Sequence, residues 1–423
     1  MRKDFFIFLF LVVGATVVFS KSFFNFFAQD DFILISQFSQ NAFLDNIKNV
    51  FDYPGVTHWR PVHNIYFFLA GTLFGKNYFF YHLLTLILHI VSGFLIFKVV
   101  EKVSLSQKAA VSSAFLYTLS YNHFTSLFWI SGGATIIGFT FLIASFYSYL
   151  CRRNVLSLFF FIVSILASEA MVVGVLIFFA WELLAGKRSR MPKSLALLIA
   201  ISLVFSAMRL IFLNPGKVSE SYSIQLPLSD LSAVKYYVLR VLGFMEGGGM
   251  GIVNLGTGTF LTAALLSFTL RYRQIRTRTL IFALVTVFAG LFPFVLIPAH
   301  LSAHYVNISL FGFSTAAGII IGRMNNVVAA FVLGLFFVVN LLAVSTLNGN
   351  HWTTQRASLA GAYISRLESQ NLPISSKIVF EDNSLSTSKE AYIVLGTGEA
   401  IKFWFPDKNY NTCFTFYENC IEK

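Results

Sequence analysis

The sequence is a succession of long apolar runs broken by short polar stretches, and most runs approach the length that crosses a bilayer as a helix. The first, Phe5 to Phe19, follows the charged start Met1-Arg2-Lys3-Asp4. Such a start also describes a secretory signal, but no small-residue cleavage site follows in "KSFFNFFAQDD", so the run is read as a retained helix pointing outward. Further spans are predicted at 78–98, 109–122, 132–150, 155–168, 171–185, 194–213, 252–270, 280–297, 305–321 and 327–346, about eleven in all. Two of them, 109–122 and 155–168, are short and are read as broken or buried within the bundle. A loop of residues 21–60 follows the first span. Residues 61–76 are apolar but too short to cross, and are read as a helix lying in the membrane interface.

Charge fixes the sidedness. Lys98, Lys102 and Lys108 follow one span, Arg152 and Arg153 another, and "KRSRMPK", "RYRQIRTR" and Arg323 follow later ones. Alternating spans put all of these on one side, which identifies it as cytoplasmic. The N-terminus is then inside, and loop 21–60 and the C-terminus are outside a cell (inner or plasma) membrane. Composition agrees: 56% of the 423 residues are hydrophobic, only 12% are charged, and mean hydropathy is +0.71. A soluble protein carries about 25% charged residues. The net charge of +12 would point to nucleic acid in a soluble chain. Here the basic inner loops account for it, and no nucleic-acid partner is expected.

The pattern changes after residue 346. Residues 347–423 hold charges and turn residues and no span, and "SKIVFED" and "AYIVLG" read as β-strands. A small α/β domain outside the cytoplasm is expected there, beside a membrane domain of residues 1–346. Cys413 and Cys420 either form a disulfide or remain two free thiols. No Walker, GxGxxG or CxxC pattern occurs.

The ionisable groups are placed asymmetrically. Few lie inside spans, where a transporter would need them. Asp30, Asp31, His58, Arg60, His63, Lys235, Arg240, Glu246, His300 and His304 gather instead in the outer loops. That favours a reaction at the outer membrane face. "HWRP" at 58–61 offers a guanidinium suited to a phosphate, or an arginine that merely snorkels, with Pro61 fit to start a helix. His82 and His89 share one helix face and read as polar links between helices. His300 and His304 are four apart, the spacing of a metal pair, although Pro298 suggests a loop start. Glu169 demands a partner, with Arg209 the candidate, and Glu246 in "FMEGGGMG" sits in a glycine-rich segment that could close over substrate or break a helix.

Four stretches together resemble the GT-C superfamily of polytopic glycosyltransferases. They are "AQDDFILI", with a carboxylate pair in the first outer loop; "WRPVHNIYFFLAGTLFGKNYFFYHLLTLILHIVSGFLIF"; "AFLYTLSYNHFTSLFWISGGATIIGFTF" followed by "LASEAMVVGVLIFFAWELL"; and "HYVNISLFGFSTAAGIIIG". Within it the stretches resemble the protein O-mannosyltransferases and their tetratricopeptide-tailed relatives. There are departures: Asn122-His123 and Thr125 replace the usual proline and acid, Ser168-Glu169 replaces a Lys-Glu pair, and His304-Tyr305 replaces Arg-Tyr. The tail lacks helical repeats.

The resemblance implies an all-α, GT-C-like membrane enzyme that moves one sugar, mannose-like or another hexose, from a polyprenyl-phosphate donor with inversion. The acceptor would be a protein, lipid or cell-envelope glycan outside the cytoplasm. By resemblance, Asp30 is the first choice of general base, and Asp31 is a helper or the ligand of a divalent cation, Mg2+ or Mn2+. The alternative role for both is capping of a loop helix. Arg60, His63, and His304 with Tyr305 are candidate contacts for the lipid phosphate, followed by His58, His300, Glu169 and Glu246. The rival readings are a lipid-linked sugar flippase, an O-antigen ligase-like enzyme and a non-catalytic envelope scaffold.

Overall fold

The structure, a computed structural model, describes residues 2–39, 43–51, 58–185, 191–212, 231–245 and 277–420. Helix α1 (Arg2–Phe19) runs on through a 3-10 turn to Phe24. The loop after α1 carries α2 (Asp30–Ser39) and α3 (Phe43–Phe51), and α4 (Pro61–Phe74) follows with Pro61 in its first turn, where a missing N–H costs nothing. Next come α5 (Tyr78–Ser104) and α6 (Gln107–Thr118). Their hairpin is turned by Leu105 and capped by Ser106, whose hydroxyl accepts from the Ala109 N–H. A broken stretch carries α7 (Phe124–Phe128). The chain continues through α8 (Ala134–Leu150), α9 (Asn154–Ala167), α10 (Val175–Ala185), α11 (Lys193–Phe212), α12 (Ser232–Val241), α13 (Thr277–Val295), α14 (Asn307–Ile321) and α15 (Asn326–Asn350). The C-terminal unit is α16 (Trp352–Gln370), β1 (Lys377–Phe380), α17 (Ser388–Val394), α18 (Glu399–Trp404) and β2 (Asn411–Phe414).

Among the described residues, six stretches are long and apolar enough to cross a membrane: Arg2–Phe24, Tyr78–Ser104, Ser131–Leu150, Arg278–Val295, Ala303–Ile321 and Asn326–Asn350. The expected spans at 109–122, 155–168, 171–185 and 194–213 are helices α6, α9, α10 and α11; the one at 252–270 lies outside the described residues. The protein is a mainly helical, multi-span membrane protein. Its spans approach closely where side chains vanish. A Cβ on Gly312 would sit 2.6 Å from the Ala283 carbonyl oxygen, and one on Gly318 would sit 2.7 Å from that of Ala109. Small residues at such crossings let backbones pack without a hydrophobic driving force. His82 and His89 act as links: His82 lies 2.8 Å from the Leu127 carbonyl and 2.9 Å from that of Asn25, and His89 lies 2.8 Å from that of Thr118.

The C-terminal unit departs from expectation in one element. "SKIVFED" contains strand β1, but "AYIVLG" belongs to helix α17, and the partner strand is β2, parallel to β1. Thr387 explains the difference. Its hydroxyl accepts from the Glu390 N–H, the arrangement of a helix start, and this local bond outweighs the strand preference of Tyr392, Ile393 and Val394. Cys413 and Cys420 are joined by a disulfide. The unit does not stand apart. Phe27, Phe32, Phe67 and Tyr81 of the outer loop and its neighbours share one buried cluster with Ile364, Leu395, Phe403 and Phe414.

Candidate active site

Asp30 and Asp31 open helix α2, and their side chains diverge as adjacent helical positions must. Asp31 turns inward and is 1% exposed. Its carboxylate accepts from the Ser131 N–H at 2.7 Å, the Ser131 hydroxyl at 2.6 Å and the Ala28 N–H at 3.0 Å. The bond to Ala28 holds the chain just ahead of the first turn of α2. Burial pushes the Asp31 carboxyl up to about 7, against the pull of Ser131 and Ala28. Asp31 thereby ties the loop after α1 to the turn before α8. Among the described residues, no group of three metal-ligating side chains converges anywhere.

Asp30 remains exposed, with protein around most of its side chain. Burial raises its carboxyl above the ordinary range, while the positive charges of Arg60 and Arg356 oppose the rise. Arg60 stands just before Pro61, at the entrance to α4.

Glu169 is the hub of the other groups. It follows α9 at the break before α10, and its oxygens meet the His58 ring Nδ1 at 3.1 Å, the Trp59 N–H at 2.6 Å, Arg60 Nε at 3.5 Å and Arg209 Nη2 at 3.2 Å. Burial alone would raise the Glu169 carboxyl; Arg60, His58 and Arg209 reverse that and hold it at about 2. Glu169 thus aligns "HWR" from beneath. His58 Nδ1 also lies 3.2 Å from Arg60 Nη2. One ring nitrogen cannot serve both neighbours, and the ionised Glu169 is the natural recipient of its proton.

His63, one turn into α4, is 3% exposed, and its Nε2 has no partner. Burial first, then the charge of Arg60, hold it at about 3, so it is a neutral imidazole with a hydrogen-bonding atom to spare. On the far wall, His300 Nε2 lies 3.0 Å from the Tyr305 hydroxyl, and His304 Nδ1 lies 2.6 Å from the Ser302 hydroxyl. The rings of His304 and Tyr305 are 4.0 Å apart. His300 ends a turn and His304 sits in a separate 3-10 turn, so the two do not form a metal pair on one helix face. Arg60 exerts its charge on His300 and His304 as well as on Asp30, so these groups share the field of one guanidinium. Glu246 lies outside the described residues.

Arg240 has no assigned role from sequence beyond its place in an outer loop. It is 7% exposed on α12, with Nε and Nη1 lacking any partner and its guanidinium 5.0 Å from the Tyr236 ring. No carboxylate among the described residues pairs with it. A buried unpaired guanidinium is costly, and an anionic ligand would remove the cost. Tyr237, three positions before Arg240 on the same helix, reaches the His300 carbonyl at 3.5 Å, so α12 adjoins the histidine turn.

The fold has a counterpart among solved structures. The structure matches the crystal structure of ArnT from Cupriavidus metallidurans bound to undecaprenyl phosphate, with a TM-score of 0.57 over 96% of this chain and 90% of that chain. The chain has the GT-C fold. Sequence identity across the match is 12%, so the likeness is one of architecture. No family model matches the chain, and no curated protein does. Within the GT-C fold, the candidate site is built from the loop after α1, the entrance to α4, the α9–α10 break, the end of α11, α12 and the turn before α14.

Proposed function

We propose that the protein is a membrane glycosyltransferase that moves one sugar from a polyprenyl-phosphate donor to an acceptor outside the cytoplasm. The observation that carries this reading is the exposed Asp30 carboxylate within the field of Arg60 on this fold, with the buried His63 imidazole also in the field of Arg60. The Cys413–Cys420 disulfide and the basic inner loops support an outer position for this face.

The chemistry follows from the groups. Asp30 takes the proton of the acceptor hydroxyl as that oxygen attacks the anomeric carbon. The bond from that carbon to the phosphate oxygen breaks, and the electron pair leaves with the polyprenyl phosphate. Arg60 and Arg240 stabilise the departing charge, and the neutral His63 adds a hydrogen bond. Attack opposite the leaving group inverts the anomeric centre. Glu169 keeps Arg60 and His58 in place and stays clear of the sugar. The O-mannosyltransferase resemblance makes a mannose-like hexose the first donor to try.

The test is incubation of the purified protein with radiolabelled undecaprenyl-phosphoryl hexoses and an envelope extract. Label is expected in an acceptor fraction, and Asp30→Asn should lower transfer by about 10²-fold or more. Arg240→Ala should weaken retention of undecaprenyl phosphate, and Arg240→Lys should restore part of it, because a point charge lacks the planar fork. Full transfer by Asp30→Asn would remove this base. Label that crosses sealed vesicles still attached to lipid would favour the flippase.

A further inference from the structure

We propose that the C-terminal unit is a working part of the site, with Arg356 and Gly396 as positioning residues that fix the turn carrying Asp30. The proposal rests on the reading of Asp30 as the base.

The turn is unusual. Gln29, immediately before Asp30, has φ +56°, a left-handed conformation that costs free energy in a residue with a side chain. Something must hold it, and the C-terminal unit does so by three routes. The Gln29 N–H donates to the Val394 carbonyl at 3.0 Å. Arg356 on α16 donates from Nη1 to the Gln29 side-chain oxygen at 3.2 Å. Gly396, itself at φ +55°, lies so close that a Cβ would be 2.6 Å from the Gln29 carbonyl oxygen and 3.1 Å from the Phe32 Cβ. Arg356 is braced in turn: its Nε donates to Glu390 at 2.8 Å, and its guanidinium lies 5.6 Å from the Trp352 ring.

Arg356 therefore has two effects on Asp30. It fixes the backbone from which the carboxylate projects, and it places a positive charge near that carboxylate. The charged groups acting on Asp30 are Arg60 from the entrance of α4, Arg356 from α16 and Asp31 on its own helix, with Glu390 of α17 tempering Arg356. Residues about 330 positions apart thus meet at the proposed base, and the contact is polar and directional, unlike the apolar cluster around it.

The readout is the protonation of Asp30 in the full chain, held in nanodiscs. A water-soluble carbodiimide with an amine labels protonated carboxyls, and peptide mass spectrometry gives the labelling of Asp30 against pH. Arg356→Ala removes a favourable charge, so its labelling midpoint should rise by about half a unit or more, and Arg356→Lys should return it toward the wild-type value. Gly396→Ala should lower the turnover of labelled undecaprenyl-phosphoryl hexose while the donor KM holds within about two-fold, as displacement of a base requires. Elution and melting of each variant show whether it is folded. A folded Arg356→Ala with an unchanged midpoint would make Arg356 a brace only and overturn the proposal; Gly396→Ala with unchanged turnover would do the same for the turn. Asp30→Asn in parallel keeps the readings separate. Full transfer by Asp30→Asn sinks the base itself, whereas loss of transfer by Asp30→Asn beside normal Arg356 and Gly396 variants sinks the positioning role alone.

Discussion

At the scale of the residue, Glu169 has the clearest measurable consequence. Its carboxyl is held at about 2 instead of 4.5 because Arg60, His58 and Arg209 outweigh its burial. The folded state therefore resists protonating it, while the unfolded chain takes up that proton below about pH 4.5. The resulting stability, about 3 kcal/mol at most, is fully present above pH 4.5 and is lost as pH falls toward 2. Melting in detergent between pH 7 and 3 should show this acid loss, and Glu169→Gln should be less stable at neutral pH with a flatter acid limb. A variant whose acid limb matches the wild type would disprove the assignment. Sequence pointed to Arg209 as the partner of Glu169 and could go no further, because His58 and Trp59 join the network from more than a hundred positions away. Asp31 was harder to read for the same reason: its main donor, Ser131, is 100 positions away in another of the quoted stretches, and nothing in either stretch names the other as partner. Arg240 carried a faint signal, a lone arginine in an outer segment, that only burial makes specific.

At the scale of the element, the spans were legible because a bilayer demands long apolar runs, a demand that leaves its mark on sequence directly. Pairing between spans left a weaker mark. Gly318 on α14 sits against Ala109 and Ser113 of α6 with no room for a Cβ, whereas Gly334 on α15 has nothing within 4 Å. Gly318→Leu should therefore lower the melting temperature and cost about 1–3 kcal/mol or more, while Gly334→Leu should be close to neutral. Similar melting of the two variants would mean that the α6–α14 crossing is looser than described. The misread helix α17 teaches the converse. Its apolar residues suit a strand, and a threonine and a glutamate three positions apart decide the outcome.

At the scale of the whole molecule, the sequence suggested a membrane domain and a separate tail, and the shared cluster joins the tail to the outer loop. Phe26 meets Trp404 with ring centroids 5.1 Å apart, and Phe27 meets Phe403 at 6.1 Å. Ending the chain after Asn350 should then expose residues 21–39 to protease, while α5 and α8 inside the bundle stay protected. Mapping the cleavage sites by mass spectrometry checks this, and an outer loop as resistant as in the full chain would show that it folds unaided. The GT-C architecture itself was readable from the order of the outer-loop motifs; the fusion of the two ends was not, because nothing in either segment alone names its partner.

That fusion has a consequence in time. The two halves of one compact core are synthesised roughly 350 residues apart, which at about 5–20 residues per second leaves the first half waiting on the order of 20–70 seconds for the second. During that interval the aromatic face of the outer loop lacks its cover and the turn before Asp30 lacks its clamp. A nascent or prematurely terminated chain would therefore be inserted with its outer turn unclamped, and the proposed activity should appear only after the segment around Gly396 has arrived.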